Sequence, residues 1–418
     1  MNVIFFDLPN PREALKPFTL TRPIARLRVG ILTMEEKWQK HWSKPVAPSS
    51  FSYLTEAYLQ KKFPLKVAES NVLLNAAVCP THHLVDQVQT LLPGQVLMHQ
   101  DAFVAAHLTQ KDTARLTDTP SWQEDYPTAA QSLLNRLSQY KSVRLSEELT
   151  IINHTWDIFT YNADQIEQDY ALITRQRSSG KISDPYTRLY HADRIFVEEG
   201  ATVRAAIINA ETGPVYLGKG ATVHENAVIK GPFAMLEGSH VNIGSKIREA
   251  TTIGPYCKVG GEVKNTVFFA NSNKGHEGFV GNSVVGEWCN FGADSNTSNL
   301  KNNYQSVRLW HYGQRAYENT DLQFCGLMMG DHSKCSINTM FNTGTVVGVF
   351  ANIFGTGFPA KFVPSFTWGG IQENVPYHFD KAVEVFERVL QRKGVTLSEV
   401  DADILRYLFE HRLREIPA

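Results

Sequence analysis

Apolar residues recur every six positions through the middle of the chain. Leu217, Val223, Ile229, Met235, Val241, Ile247, Ile253 and Val259 follow one another without a gap. That period matches neither the 3.6-residue turn of a helix nor the two-residue alternation of a short amphipathic strand. It is the repeat of a hexapeptide β-helix, in which each hexad forms one flat face of a triangular prism and its aliphatic side chain points inward. The residue four places after each aliphatic one is mostly small (Ala221, Ala227, Ser239, Ser245, Thr251), as a narrow prism requires; Phe233 and Cys257 are larger. Glycines cluster where the chain must turn corners, among them Gly218, Gly238, Gly244 and Gly254. Val197 and Val203 precede the run, and residues 209–214 break its phase. Phe279, Val285, Phe291 and Thr297 resume it. After a polar loop at 299–320, Met329, Cys335, Phe341, Val347 and Ile353 carry it on. The whole array predicts roughly six or seven coils.

The chain before the repeat changes character. Apolar runs at 3–6, 72–74 and 95–98 read as buried strands, and 34–42, 56–62, 129–140 and 156–174 as helices, the last starting near Asn153 or Thr155. Strands alternating with helices predict an open, doubly wound α/β sheet. A polar stretch, 175–184 (RQRSSGKISD), is the expected linker. After the repeat, 379–392 places Val383, Phe386, Val389 and Leu390 on one helical face; Gly394 ends that helix and Ser398 caps another. The expected domains are 1–184, 185–370 and a helical extension, 371–418.

Length supports this division, because 418 residues exceed one ordinary core. A hydrophobic content of 43%, a charged content of 20% and a formal net charge of −1 are those of a soluble globular protein without a long-range pull toward nucleic acid or an anionic membrane. No apolar run is long enough to span a bilayer, and the first residues lack the form of a signal peptide. Five scattered cysteines without a C-x-x-C pair predict reduced thiols and a cytoplasmic protein. His82-His83 reads as a turn, and Asp331-His332 as a coil corner.

The breaks in the repeat carry the chemistry. In order come GPFAML (231–236), EVKN (262–265), KGHEGFVGNSVVGEWCNFGA (274–293), NLKNN (299–303) and GLMMGDHSKCSIN (326–338). Together they resemble the acetyltransferase half of the bifunctional N-acetylglucosamine-1-phosphate uridyltransferase and glucosamine-1-phosphate N-acetyltransferase family. The resemblance implies a left-handed β-helix, a homotrimer and acetyl-CoA bound between neighbouring prisms. It puts His276 at the family's catalytic histidine, Lys264 at a lysine contacting the sugar phosphate, and Asn290 and Asn299 at asparagines that bind the sugar. The chemistry is coherent: an amine attacking a thioester must shed a proton, and imidazole is the suited base. An ammonium suits a phosphate. Each residue also has a plain reading, as a loop histidine, a corner lysine or a laddered asparagine. Two positions depart from the family: Glu237 stands where it has a phosphate-binding arginine, and Phe279 where it has tyrosine.

Residues 12–38 (REALKPFTLTRPIARLRVGILTMEEKW) and 155–162 (TWDIFTYN) resemble the opening and a late helix of sugar nucleotidylyltransferases, in a divergent bacterial form. The glycine-rich phosphate loop is replaced by DLPNP (7–11), the signature lysine by Ile24, and the strand-end acid for Mg²⁺ by Asn75. Arg12, Arg22, Arg28 and Lys37 are the candidates to restore positive charge for a nucleotide; surface charges on a helical stretch are the plain alternative. The combined expectation is a two-part sugar-phosphate transferase using acetyl-CoA and a nucleoside triphosphate with Mg²⁺. Two alternatives stand beside it: a nucleotidylyltransferase with a trimerisation scaffold, and a non-catalytic nucleotide- or sugar-binding protein.

Overall fold

The computed structural model describes residues 1–42, 48–117, 121–372 and 374–416. The first domain is a six-stranded sheet in the order β2-β1-β3-β5-β4-β6. Its strands are β1 (Asn2–Phe6), β2 (Ser50–Leu54), β3 (Ser70–Asn75), β4 (Gln95–His99), β5 (Ala102–Thr109) and β6 (Lys141–Leu145). β1 lies parallel between β2 and β3, with Phe6 opposite Leu54 and Asn75. β5 runs antiparallel to both β3 and β4, so the expected open sheet is mixed rather than uniformly parallel. The cause is local: Gln100, at φ 51°, turns the chain straight back from β4 into β5.

The helices are α1 (Pro9–Ala14), α2 (Met34–His41), α3 (His82–Gln89), α4 (Gln110–Thr117), α5 (Ser121–Glu124), α6 (Tyr126–Leu137), α7 (Asp157–Thr160) and α8 (Asn162–Thr174). α2 begins with a reciprocal capping box between Thr33 and Glu36. The helix expected at 56–62 is only a short 3-10 turn, Ala57–Leu59. That expected at 156–174 breaks at Tyr161 into α7 and α8, and its first turn is held by Asp157, which accepts from the backbone N–H of Asn153 and His154. His82 opens α3 rather than lying in a turn.

The prism is a stack of short parallel strands. All eight positions of the unbroken hexad run are at most 1% exposed and share one core. Each coil contributes to three faces, seen for one turn at Phe279–Val285, Asn290–Phe291 and Asn296–Thr297. One face holds nine consecutive strands, from Ile195–Val197 to Phe362–Val363, so the stack is taller than the six or seven coils expected. The excess comes from coils of 15 to 18 residues whose inward positions are not all aliphatic. Phe279 does not point inward; its neighbour Val280 does. Gly254 sits where a Cβ would lie 1.7 Å from the Phe269 carbonyl oxygen, so no other residue fits that corner. The polar loop at 299–320 contains a hairpin, Arg308–His311 with Ala316–Asn319, whose Trp310 stacks on Phe362 at 4.5 Å.

The nine-strand face is apolar on its outer side too. Phe196, Tyr216, Ala234, Val267, Val284, Met328 and Val346 are all buried. The first domain covers much of it, with Ile31, Leu32 and Ile166 against Phe196, Tyr216 and Ala234. A polar seam completes the contact: Asn162 accepts from Gly30 N at 2.8 Å and donates to Ala250 O at 2.8 Å. Helices α9 (Phe379–Gln391) and α10 (Glu399–His411) pack back on the same core. Ser398 caps α10 as expected, accepting from Asp401 N at 3.1 Å, and Gly394 takes φ 69° after α9.

Candidate functional site

In the first domain, β1 delivers Asp7 to the sheet's carboxyl edge, where ligands of open α/β sheets bind. Asp7 is fully buried and accepts from Arg12 (2.7 Å), Thr55 Oγ1 (2.7 Å) and Ile24 N (3.0 Å). Burial raises its pKa above the ordinary carboxylate value, against the pull of Arg12. Arg12 also donates to Glu56 at 2.8 Å and to Thr19 O at 2.9 Å. The DLPNP segment folds into the start of α1, and Pro9 and Pro11 have no N–H to offer a phosphate.

The four cations expected at a nucleotide do not gather in one place. Arg12 and Lys37 are each at most 2% exposed and lie in internal ion pairs, Lys37 with Asp169 at 2.6 Å. Both are held too deeply to meet a ligand. Arg22 and Arg28 line a cavity of about 360 Å³ between the domains, beside Trp288 and His332. Arg22 is paired there with Glu287 and Asp331 of the prism. Arg28 donates to Ile31 O and lies 3.6 Å from Glu36. His332 is packed by Trp288, Phe350 and Phe386, and burial drives its pKa down.

A larger cavity, about 520 Å³, opens over the ends of β1 and β2. Tyr126 marks its floor: its hydroxyl lies 2.6 Å from Asp7 O and 2.9 Å from Leu54 O. Glu56, Tyr58 and Trp122 form one wall, and Tyr312, Tyr407 and Arg414 belong to the other. The latter come from the prism's loop and the C-terminal extension, which sequence reasoning did not connect with this site. Asn75 cannot stand in for a metal-binding acid: its amide donates to Phe103 O and its oxygen accepts from Ala77 N. Asp7 is closed off by Arg12. These strand ends therefore do not fit a protein-held Mg²⁺.

On the prism, His276 is exposed at a corner that borders a shallow cavity of about 470 Å³ with His224, Asn242 and Ile243. Two contacts fix its loop. Asn242 Nδ2 donates to Gly275 O at 2.8 Å. From inside, Lys274 Nζ donates to His276 O at 2.5 Å. Lys274 occupies an inward position next to Val259, is 2% exposed, and has its pKa pushed down to about 8 by burial. The hexad pattern gave no hint of it, because the coil from Val259 to Lys274 is 15 residues long.

The four candidates fall in two places. Asn290 accepts from Asn273 Nδ2 at 3.0 Å, on the face leading to the His276 corner. Lys264 and Asn299 lie at the next corner: Lys264 is level with Gly281, and a Cβ on Gly281 would sit 2.8 Å from Asn299 Nδ2. Asn299 donates to Asn282 at 2.8 Å, and Lys264 lies 3.6 Å from Glu249. Phe279 is half-buried, its N–H donating to Asn296 at 2.8 Å. All five cysteines are buried thiols, and Cys79 and Cys257 have pKa values raised to about 12 by burial. Among the described residues no group of three His, Cys, Asp or Glu side chains could hold a metal ion, and no helix is long and apolar enough to cross a membrane.

Residues 3–178 match the family described as sugar nucleotidyl transferase. The bifunctional sugar-1-phosphate nucleotidylyltransferase/acetyltransferase of Sulfurisphaera tokodaii is 29% identical over 377 residues, covering 82% of this chain and 93% of the relative. The bifunctional protein GlmU of Wigglesworthia glossinidia brevipalpis is 29% identical over 158 residues, 37% of this chain and 29% of the relative. The GlmU of Methanocaldococcus jannaschii is 34% identical over 87 residues, 21% of each. The chain thus spans under a third of these two GlmU proteins but nearly all of the Sulfurisphaera protein. The first domain is thus similar to the sugar nucleotidyl transferase family, and the chain as a whole resembles, distantly, the bifunctional nucleotidylyltransferase/acetyltransferases.

Proposed function

We propose that the chain joins two transfers on sugar phosphates. In the first domain, a sugar 1-phosphate oxygen attacks the α-phosphorus of a nucleoside triphosphate, and pyrophosphate leaves, giving a nucleotide sugar of the UDP-N-acetylglucosamine kind. The observation that carries this reading is the position of the cavity of about 520 Å³, over the carboxyl ends of β1 and β2 in a domain that matches the sugar nucleotidyl transferase family. Its size suits a nucleotide. Mg²⁺ enters as the partner of the triphosphate rather than through a strand-end carboxylate pair. The test is pyrophosphate release from a panel of nucleoside triphosphates with N-acetylglucosamine 1-phosphate, glucosamine 1-phosphate and other sugar 1-phosphates. No release with any pair would remove the reading.

The prism's proposed reaction is acetyl transfer from acetyl-CoA to an amino sugar phosphate. The exposed corner imidazole of His276, whose backbone segment is held by Lys274 and Asn242, takes the proton of the attacking amine. The separation of His276 and Asn290 from Lys264 and Asn299 supports a homotrimer, in which one prism's corner meets the next prism's. The buried, unpaired cysteines suit a reducing cytoplasm. Thiol release from acetyl-CoA tests this reaction independently of the first.

A further inference from the structure

The cavity over β1 and β2 contains two buried donors that find no acceptor among the described residues. Among the described residues Trp122 Nε1 and Tyr312 OH have no hydrogen-bond partner, and each residue is 5% exposed. A buried donor left unpaired costs free energy, so two on one cavity mark a place where a ligand or water belongs. The same cavity is lined by Arg315 and Arg414, both exposed and neither in an ion pair among the described residues. Its other side-chain charges are mostly engaged. Lys16 pairs with Glu13 at 2.6 Å, Glu56 with Arg12, and Asp125 caps α6 through Thr128 N at 3.2 Å. Glu415 accepts from Ser365 N at 2.9 Å.

These groups reach the sheet from remote segments. Gly313, between Tyr312 and Arg315, packs so closely on α1 that a Cβ there would lie 3.3 Å from Glu13 Cβ. Tyr407 of α10 stacks on Tyr58, just beyond β2, at 4.2 Å and 11°. His411 stacks on Tyr407 at 4.0 Å and leads into Arg414. The prism loop and the C-terminal extension are therefore fixed walls of a first-domain cavity. Meanwhile the segment after β1 lacks both glycine and, at Pro9 and Pro11, the backbone donors that would approach a phosphate.

We propose that the 312–315 loop and the C-terminal extension complete this cavity as a phosphate-ester site, in which Arg315 and Arg414 bind phosphate oxygens and Trp122 and Tyr312 donate to the ligand. The inference rests on the nucleotidyl-transfer reading and names the residues that replace the missing glycine-rich loop. Guanidinium groups suit this role because their donors match phosphate geometry. The ligand is a nucleoside triphosphate or a sugar 1-phosphate, which share that chemistry.

The test is calorimetric titration of the full-length chain with UTP, CTP, dTTP, GTP and ATP in the presence of MgCl₂, and separately with N-acetylglucosamine 1-phosphate and glucosamine 1-phosphate. Pyrophosphate release is followed in parallel. Arg315→Ala and Arg414→Ala should each weaken binding of one ligand class by roughly 10- to 100-fold, the range for hydrogen bonds to charged groups. The ligand class affected identifies the source of the phosphate. Tyr312→Phe should weaken binding about 10-fold while the melting temperature of the unliganded chain stays level or rises, because a buried orphan hydroxyl is removed. A fall in both binding and unliganded melting for every variant would mean a structural role and overturn the proposal. Unchanged affinity in the Arg315→Ala/Arg414→Ala chain, with pyrophosphate release intact, would overturn it while leaving nucleotidyl transfer standing. Neither binding nor release by the natural chain would overturn both.

Discussion

Arg22→Ala separates a structural from a ligand-binding role for the charge between the domains. Arg22 joins Glu287 and Asp331 of the prism. Asp331 is 1% exposed and also accepts from Thr21 Oγ1 at 2.5 Å and from Glu287 N at 2.8 Å. Removing the arginine leaves a buried carboxylate without its cation, which costs about 3–5 kcal/mol. The Glu287 arm adds little, because that side chain is about a third exposed and water screens it. If the 418 residues melt as one unit, the unfolding entropy is roughly 0.9 kcal/mol/K, so the melting temperature falls by about 3–6 °C.

The pH dependence has a definite sign. Burial raises the Asp331 pKa above its ordinary value while Arg22 pulls it back down, so loss of Arg22 raises it further. A carboxyl with a raised folded pKa loses stability as pH climbs from its unfolded value through its folded one. The deficit of Arg22→Ala should therefore be greatest at neutral pH and shrink toward pH 4. Adding Asp331→Asn should recover part of the loss at pH 7. The assay is thermal unfolding by differential scanning calorimetry from pH 4 to 8. An Arg22→Ala chain melting within 1 °C of the natural one at pH 7, with weaker nucleotide binding, would refute the reasoning and return Arg22 to a ligand-binding role.

Three further outcomes follow from the same geometry. His276→Ala should slow acetyl transfer by about 10²–10⁴-fold, as loss of a general base does, with acetyl-CoA binding and pyrophosphate release unchanged; equal thiol-release rates would exclude it as the base. Lys274 has a folded pKa near 8, below the unfolded value of 10.5, so its burial costs most below pH 8 and the cost fades as pH rises to 10.5. Lys274→Met should therefore be more stable than the natural chain at pH 7, by on the order of 3 kcal/mol, and the gap should close by pH 10.5; a gap that does not change with pH would contradict the inward placement. Cys79 and Cys257, with thiols raised to about 12, should resist alkylation in the folded chain at pH 8 and react only on unfolding, as a mass-spectrometric time course would read.

The prism was legible because its physics is one-dimensional. An inward side chain every six residues is imposed by the strand stack itself, so Leu217 through Val259 announce it without knowledge of any distant residue. The covering of one face was legible in principle as well. Its strands carry apolar residues on both sides, as in LMM at Leu327–Met329 and TVV at Thr345–Val347, where an uncovered face would alternate with polar residues. The mixed sheet was harder to see. β5 reads as an apolar run like any parallel strand, and its direction depends on a turn at Gln100 with none of the usual glycine or asparagine.

Charged residues exposed the limit of reading function from local pattern. Arg12, Arg22, Arg28 and Lys37 share a segment, and their residue types are equally fit for phosphate and for carboxylate. Arg12 and Arg28 meet acids close by in sequence, Asp7 and Glu36, but the partners of the other two lie far away: Asp169 for Lys37, and Glu287 and Asp331 for Arg22. A cation becomes available to a ligand only when the fold leaves it without such an acid and beside a cavity. Among the described residues Arg315 and Arg414 meet that condition, though neither lies in a recognisable motif and about 100 residues separate them. Their segments reach the first domain only because the prism, capped by α9 and α10, folds back onto the sheet's carboxyl edge. The chemistry of the first domain's cavity is thus a property of the whole chain, and Arg315→Ala or Arg414→Ala alters it from outside the domain that contains its floor.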